Sequence, residues 1–158
     1  MNRIYLPVDI CFGENVINTN GDAIYSLGQK PMIVTGHYSA KASGAENDII
    51  NLLQCKNKEY VLFNEITENP ELDTINKGID VFVENHCDYV IGIGGGSPLD
   101  ACKAIALAAA NQIKAKDLYD VNNHHQCYPI IAAPTTAGTG SEVTQYSVLS
   151  DPKAKKKA

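Results

Sequence analysis

Tyr89-Val90-Ile91-Gly92-Ile93-Gly94-Gly95-Gly96-Ser97-Pro98-Leu99-Asp100-Ala101-Cys102-Lys103 passes from an apolar run, through consecutive glycines, into a segment rich in helix formers. A short continuous apolar run closed by a turn signal reads as a strand buried on both faces, the habit of strands in a parallel sheet. Alanine recurs from Ala101 to Ala108, so the glycines lead into a strong helix. Ser97 fits the N-cap of that helix, Pro98 its first position, and Asp100 the third, where a carboxylate returns a capping bond.

The same alternation continues outward on both sides. Pro31 to Gly36 is a buried strand feeding a loop, Tyr60 to Phe63 another, and Tyr128 to Ala133 a fourth. Between them lie a helix carrying Ile49, Ile50, Leu52 and Leu53, and one opened by Asn69-Pro70 in which Leu72, Ile75, Ile79 and Phe82 recur at three- and four-residue steps. An opening segment, Arg3 to Val8, precedes a helix from about Val16 to Leu27 that Gly28 ends, and Val143 to Leu149 reads as one more extended segment. Strands alternating with helices imply an α/β domain: a Rossmann-like parallel sheet with helices on both faces, spanning residues 1–158 as one unit.

Composition narrows the function. With 44% hydrophobic and 20% charged residues the chain has the make-up of a globular domain rather than a disordered one. A net charge of −5 offers no broad positive field for nucleic acid. No apolar run approaches the roughly 20 residues a bilayer demands, and no basic segment with an apolar core opens the chain, so neither membrane nor export is expected and the working place is the cytoplasm. Cys11, Cys55, Cys87, Cys102 and Cys127 are scattered without a CxxC pair, which argues against a disulfide framework or a zinc–thiolate site. His37, His86, His124 and His125 lack metal-ligand spacing, and the last two read as a surface loop.

In an open parallel sheet, ligands bind outside the carboxyl ends of the strands. Both polar clusters of the chain fall at such ends. The glycines let backbone N–H groups approach an anion, and the following helix aims its positive dipole end at the same spot, a combination suited to phosphate or pyrophosphate. The pattern is neither a GK[ST] P-loop nor GxGxxG. At the second strand end Thr135, Thr136, Thr139 and Ser141 bring hydroxyls suited to ribose, phosphate or a carboxamide.

Gly94 to Lys103 resembles the GGGSxxDxxK motif of the iron-containing (group III, metal-dependent) alcohol dehydrogenases. Pro134-Thr135-Thr136-Ala137-Gly138-Thr139-Gly140-Ser141-Glu142-Val143-Thr144 is similar to that family's second N-terminal motif, and Asn69-Pro70 sits where the family has an NP turn. The resemblance covers essentially the whole chain. It implies the N-terminal, NAD(P)-binding half of an enzyme that moves a hydride between nicotinamide and an alcohol or aldehyde. The divalent metal, iron or zinc, would be held by an Asp and three His of a following helical domain absent from these residues, so no residue here is assigned to metal or to catalysis.

Carried over by resemblance, Gly95, Gly96 and Ser97 would hold the pyrophosphate, with Asp100 beside it or at the nicotinamide end. Thr135, Thr136 and Thr139 would line the adenine and ribose side, Val148 would lie near the nicotinamide ring, and Lys157 matches a lysine that reaches the cofactor. Gly36 stands where NAD-preferring members carry an Asp for the adenosine ribose. Losing that carboxylate admits NADP as well as NAD, with His37, Ser39 or Lys41 near a 2′-phosphate. The resemblance further implies a homodimer through this domain, and self-association is expected from the apolar face that would otherwise pack on the helical domain. Glycerol dehydrogenase and dehydroquinate synthase share the architecture but fit less well after Pro134, and a non-catalytic nucleotide-binding fragment or interaction module is the alternative of another class.

Overall fold

Four apolar runs become neighbours in one parallel sheet in a computed structural model that describes residues 7–157. Of the opening segment, Arg3 to Leu6 lie outside the described residues. The strands are β1 (Pro31–Gly36), β2 (Val61–Ile66), β3 (Tyr89–Gly94) and β4 (Ile130–Pro134), in the order β2-β1-β3-β4. Ile33 stands opposite both Leu62 and Ile91, and Ile91 opposite Ile131, so one register runs across the sheet. The helices are α1 (Val16–Thr19), α2 (Gly21–Tyr25), α3 (Ser39–Ala42), α4 (Ala45–Cys55), α5 (Leu72–Glu84) and α6 (Gly96–Asn111).

Successive strand side chains point to opposite faces, and here both faces are apolar and covered. On one, Met32, Val34 and Val90 pack with Leu72, Ile75, Ile79 and Phe82 of α5 and with Ala101, Ile105 and Ala108 of α6. On the other, Ile33, Tyr89, Ile91 and Ile93 meet Ile24, Ala40, Ile49 and Leu53 of α2, α3 and α4. Each such side chain fully withdrawn from water contributes on the order of 1.5–3 kcal/mol. Gly92 sets how closely α6 lies on the sheet: a Cβ there would stand 2.9 Å from the Cβ of Cys102. No helix among the described residues is long and apolar enough to cross a membrane.

Several expectations are corrected. The stretch from Val16 to Leu27 is not one helix but breaks at Asn20 into α1 and α2. Gly21 lowers helix propensity there and is held against α4, where a Cβ would come 2.5 Å from Leu52 Cδ1. β4 starts at Ile130 rather than Tyr128, because Pro129 has no N–H and joins the ladder only as the acceptor for Val90 N–H, at 3.0 Å. β2 reaches beyond Phe63 to Ile66, its polar Asn64 and Glu65 being tolerated on an edge strand.

The extended segment expected over Val143 to Leu149 is not a strand either. The chain makes a 3₁₀ turn at Ser141–Val143, and regular pairing returns only in β5 (Ser150–Asp151), antiparallel to β6 (Lys156–Lys157). Side chains of α6, rather than a neighbouring strand, take up the polar backbone of this segment.

Candidate functional site

From β1 the chain moves outward to β2, then returns across β1 to build β3 and β4 on the other side. The order therefore reverses between β1 and β3, and the crevice outside their carboxyl ends is where such sheets take ligands. Gly36 closes β1 and Gly94 closes β3. The two ends are close, since a Cβ on Gly36 would lie 3.7 Å from Pro98 Cγ and 3.1 Å from the Ile66 carbonyl oxygen.

The turn into α6 requires glycine at position 94, where φ is +148° and a Cβ would meet Pro98 Cγ at 2.7 Å. Gly95, not Ser97, is the N-cap, and no side chain caps this end. Ser97 lies inside the first turn, where its Oγ accepts instead from the Asn69 N–H at 3.3 Å. Asp100 returns no capping bond, both of its carboxylate oxygens being engaged on the flank of the helix. The N–H groups of Gly96 and Ser97, which have no intrahelical carbonyl to bond, are thus served by no side-chain cap.

Across this turn stands the loop that follows β4. The Thr135 N–H donates to the Gly94 carbonyl at 2.8 Å, locking the two strand ends together. A Cβ on Gly95 would lie 3.4 Å from Thr136 Oγ1, and one on Gly96 would lie 3.7 Å from Thr139 Cβ, so both hydroxyl residues face the glycines. Thr35 Oγ1 and Thr135 Oγ1 are buried at the ends of β1 and β4 with no hydrogen-bond partner. Lys157 reaches the same region, its Nζ donating to Asn69 Oδ1 at 2.6 Å, one residue link from Ser97.

Of the residues anticipated, Gly36, Gly95, Gly96, Ser97, Thr135, Thr136 and Thr139 gather round the carboxyl ends of β1, β3 and β4, with Lys157 joined through Asn69. Asp100 and Val148 sit to one side: Asp100 Oδ1 accepts from Ser141 Oγ at 2.6 Å and pairs with Lys103 Nζ at 3.0 Å, and Oδ2 accepts from the Val148 N–H at 3.1 Å. Lys103 and Asn69 were not anticipated as site residues, and Ser141, one of the hydroxyls expected at the second strand end, is turned to Asp100 and Lys103. The i, i+3 spacing of Asp100 and Lys103 on a helix was the available signal for the first.

Beside α6 an open cleft of about 590 Å³ is lined by Leu107, Tyr119, His124, Cys127, Tyr146 and others. Cys102, on the buried face of α6, has its thiol held well above the usual range by burial, which leaves it inert. An uncapped helix N-terminus, a glycine turn with room above it, and an orphaned buried hydroxyl together fit a nucleotide diphosphate. A metal ion finds no such fit, since among the described residues no group of three or more His, Cys, Asp or Glu is arranged to hold one.

The profile of one family, "Iron-containing alcohol dehydrogenase", matches residues 7–158. The chain belongs to that family. It is 33% identical over 151 residues to choline dehydrogenase of Bacillus subtilis (strain 168), covering 92% of this chain and 37% of the relative. It is 34% identical over 152 residues to 1,3-propanediol dehydrogenase of Citrobacter freundii, covering 92% and 38%. Among solved structures, an iron-containing alcohol dehydrogenase from Thermotoga maritima superposes with a TM-score of 0.90 at 39% identity, over 96% of this chain and 42% of that one. Sulfoacetaldehyde reductase from Bifidobacterium kashiwanohense, solved with NAD+, superposes with a TM-score of 0.81 at 30% identity, over 100% and 42%. The chain therefore spans about two fifths of the length of these iron-containing alcohol dehydrogenase relatives.

Proposed function

We propose that residues 1–158 form the dinucleotide-holding half of an oxidoreductase that moves a hydride between nicotinamide and a small alcohol or aldehyde. The observation that carries this reading is the uncapped N-terminus of α6 at the switch between β1 and β3, with Thr136 and Thr139 facing its glycines. In that role the N–H groups of Gly96 and Ser97 hold the diphosphate, and the helix dipole adds about 0.3–1 kcal/mol. Thr135, Thr136 and Thr139 supply hydroxyls to the ribose and adenine side, and Val148 borders the nicotinamide end. Lys157 adds a cation near the phosphates through its bond to Asn69.

The bound nicotinamide supplies the carbon that takes or gives the hydride. The work of these residues is orientation: a diphosphate gripped at one edge fixes where the ring projects. The names of the relatives, which include an NAD-dependent methanol dehydrogenase and a lactaldehyde reductase, support small alcohols and aldehydes as substrates. NAD is the cofactor these names favour, and Gly36 leaves no carboxylate to repel the 2′-phosphate of NADP. The divalent metal of the family does not fit the residues described. Five free cysteines fit a reducing compartment such as the cytoplasm. A homodimer is the assembly we assign, supported by the exposed Val8, Ile10 and Phe12.

Titrating the chain with NADH and with NADPH, followed by nicotinamide fluorescence, tests the reading. Saturable binding of at least one is expected. Failure to bind either would overturn it.

A further inference from the structure

Five oxygens gather round Lys103, a residue the nucleotide reading leaves without a task. Only 13% of its side chain is exposed. Its Nζ lies 3.0 Å from Asp100 Oδ1, 3.0 Å from the Ser141 carbonyl, 2.8 Å from Ser141 Oγ and 3.4 Å from the Thr144 carbonyl, and it also donates to the Tyr146 carbonyl. Asp100 extends the same knot, accepting from Ser141 Oγ at 2.6 Å and from the Val148 N–H at 3.1 Å, while its own carbonyl accepts from Ser147 Oγ at 2.7 Å. A compact ammonium with three rotatable donors suits carbonyls converging from one curved segment better than the flat fork of an arginine.

Residues 144–149 belong to no regular element, so their shape depends on what they are tied to. The other end of the loop is anchored separately, by the Thr135 N–H on the Gly94 carbonyl. The two anchors divide the labour. Thr135 is bonded to the glycine turn, whereas Lys103 is bonded to residues 141, 144 and 146.

We infer that Lys103, acting with Asp100, is a positioning residue that straps segment 141–148 onto α6 and so fixes the wall facing the second nucleoside of the dinucleotide. This rests on the nucleotide-binding reading above. A ligand confined to the glycine turn, such as ADP, does not depend on the strap, and a full dinucleotide does.

The test compares the wild-type chain with Lys103→Met and with Lys103→Met/Asp100→Asn, the double variant leaving no unpaired carboxylate on the flank of α6. Amide exchange of residues 141–148 is measured together with affinities for NADH and ADP. In the double variant, exchange in that segment should rise at least tenfold and NADH affinity should fall at least tenfold, with ADP affinity kept within about threefold. Unchanged exchange, or an equal loss for NADH and ADP, would overturn the inference. A wild-type chain that binds neither NADH nor NADPH overturns the nucleotide reading itself. Should the double variant lose its cooperative melt, Ser141→Ala removes one partner from the knot without touching either charge. It should loosen the same segment and weaken NADH about threefold, and tight exchange with unaltered NADH affinity in it would refute the strap.

Discussion

Gly95→Asp puts a carboxylate where the diphosphate is proposed to sit while leaving the backbone undisturbed. Gly95 adopts φ −77° and ψ −163°, which any residue can take, and the nearest neighbour of an added Cβ is Thr136 Oγ1 at 3.4 Å. The variant therefore folds, and its cost falls on the ligand. Two unit charges 5 Å apart at an effective dielectric of 20 repel by about 3 kcal/mol, and solvent screening at an open crevice brings that to roughly 1.5–3 kcal/mol. NADH affinity should thus fall by about tenfold to a hundredfold. Gly95→Ala, which adds the methyl group without the charge, should lose no more than about fivefold. Fluorescence titrations of NADH at low and at high salt make the distinction, since screening should return part of the aspartate's loss and none of the alanine's. Thermal melts of both variants should match the wild type closely. The reasoning fails if Gly95→Asp binds NADH as tightly as the wild type, or if alanine costs as much as aspartate.

Gly92→Val forces its Cβ to within 2.9 Å of the Cβ of Cys102, an atom fixed on the helix backbone, so denaturant unfolding should show a loss of about 1–3 kcal/mol. Alkaline pH should weaken the fold. Burial, with Asp88 adding to it against the pull of Lys30, pushes the Cys87 thiol from 9.0 up to about 11, and burial with Asp88 pushes the Tyr89 hydroxyl from 10.0 up to about 12. The folded chain then keeps protons that the unfolded chain releases, so stability is full below pH 9 and declines as the pH rises through 9 to 11 for Cys87 and 10 to 12 for Tyr89. Unfolding free energies from urea titrations at pH 8, 9.5 and 10.5 should fall by no more than about 1.4 kcal/mol per pH unit for each group, and Cys87→Ala should flatten the first part of that decline. Phe12, 99% exposed, should contribute to association, so sedimentation of Phe12→Ser should show a larger monomer fraction than the wild type.

Apolar periodicity carried most of the fold, because in a two-sided parallel sheet almost every strand residue is buried and the strands stand out as unbroken runs. Met32 and Val34 face α5 and α6 while Ile33 faces α4, and both faces demand the same residue types. Periodicity misled where the burial it signals comes from somewhere other than a ladder. Ile17, Ile24 and Tyr25 do pack inward, yet from two short helices broken at Asn20 and held by Leu52 of α4. Leu149 is buried as a strand residue would be, but the segment that carries it is tied to α6 by side chains.

The site divides along the same line. A glycine can announce its reason locally, since position 94 needs φ of +148° whatever the distant chain does. Lys103 announces locally only its i, i+3 pairing with Asp100, because its other partners at Ser141, Thr144 and Tyr146 lie 38 to 43 residues away and most are backbone carbonyls that any sequence would present. Ser97 shows the two kinds of information colliding. It has the composition of an N-cap, but the helix begins two residues earlier, at Gly96 with Gly95 as its N-cap, and the Ser97 hydroxyl is left for the Asn69 N–H. That shift leaves the helix end uncapped by protein, and an uncapped end facing a ring of threonines is what a diphosphate requires.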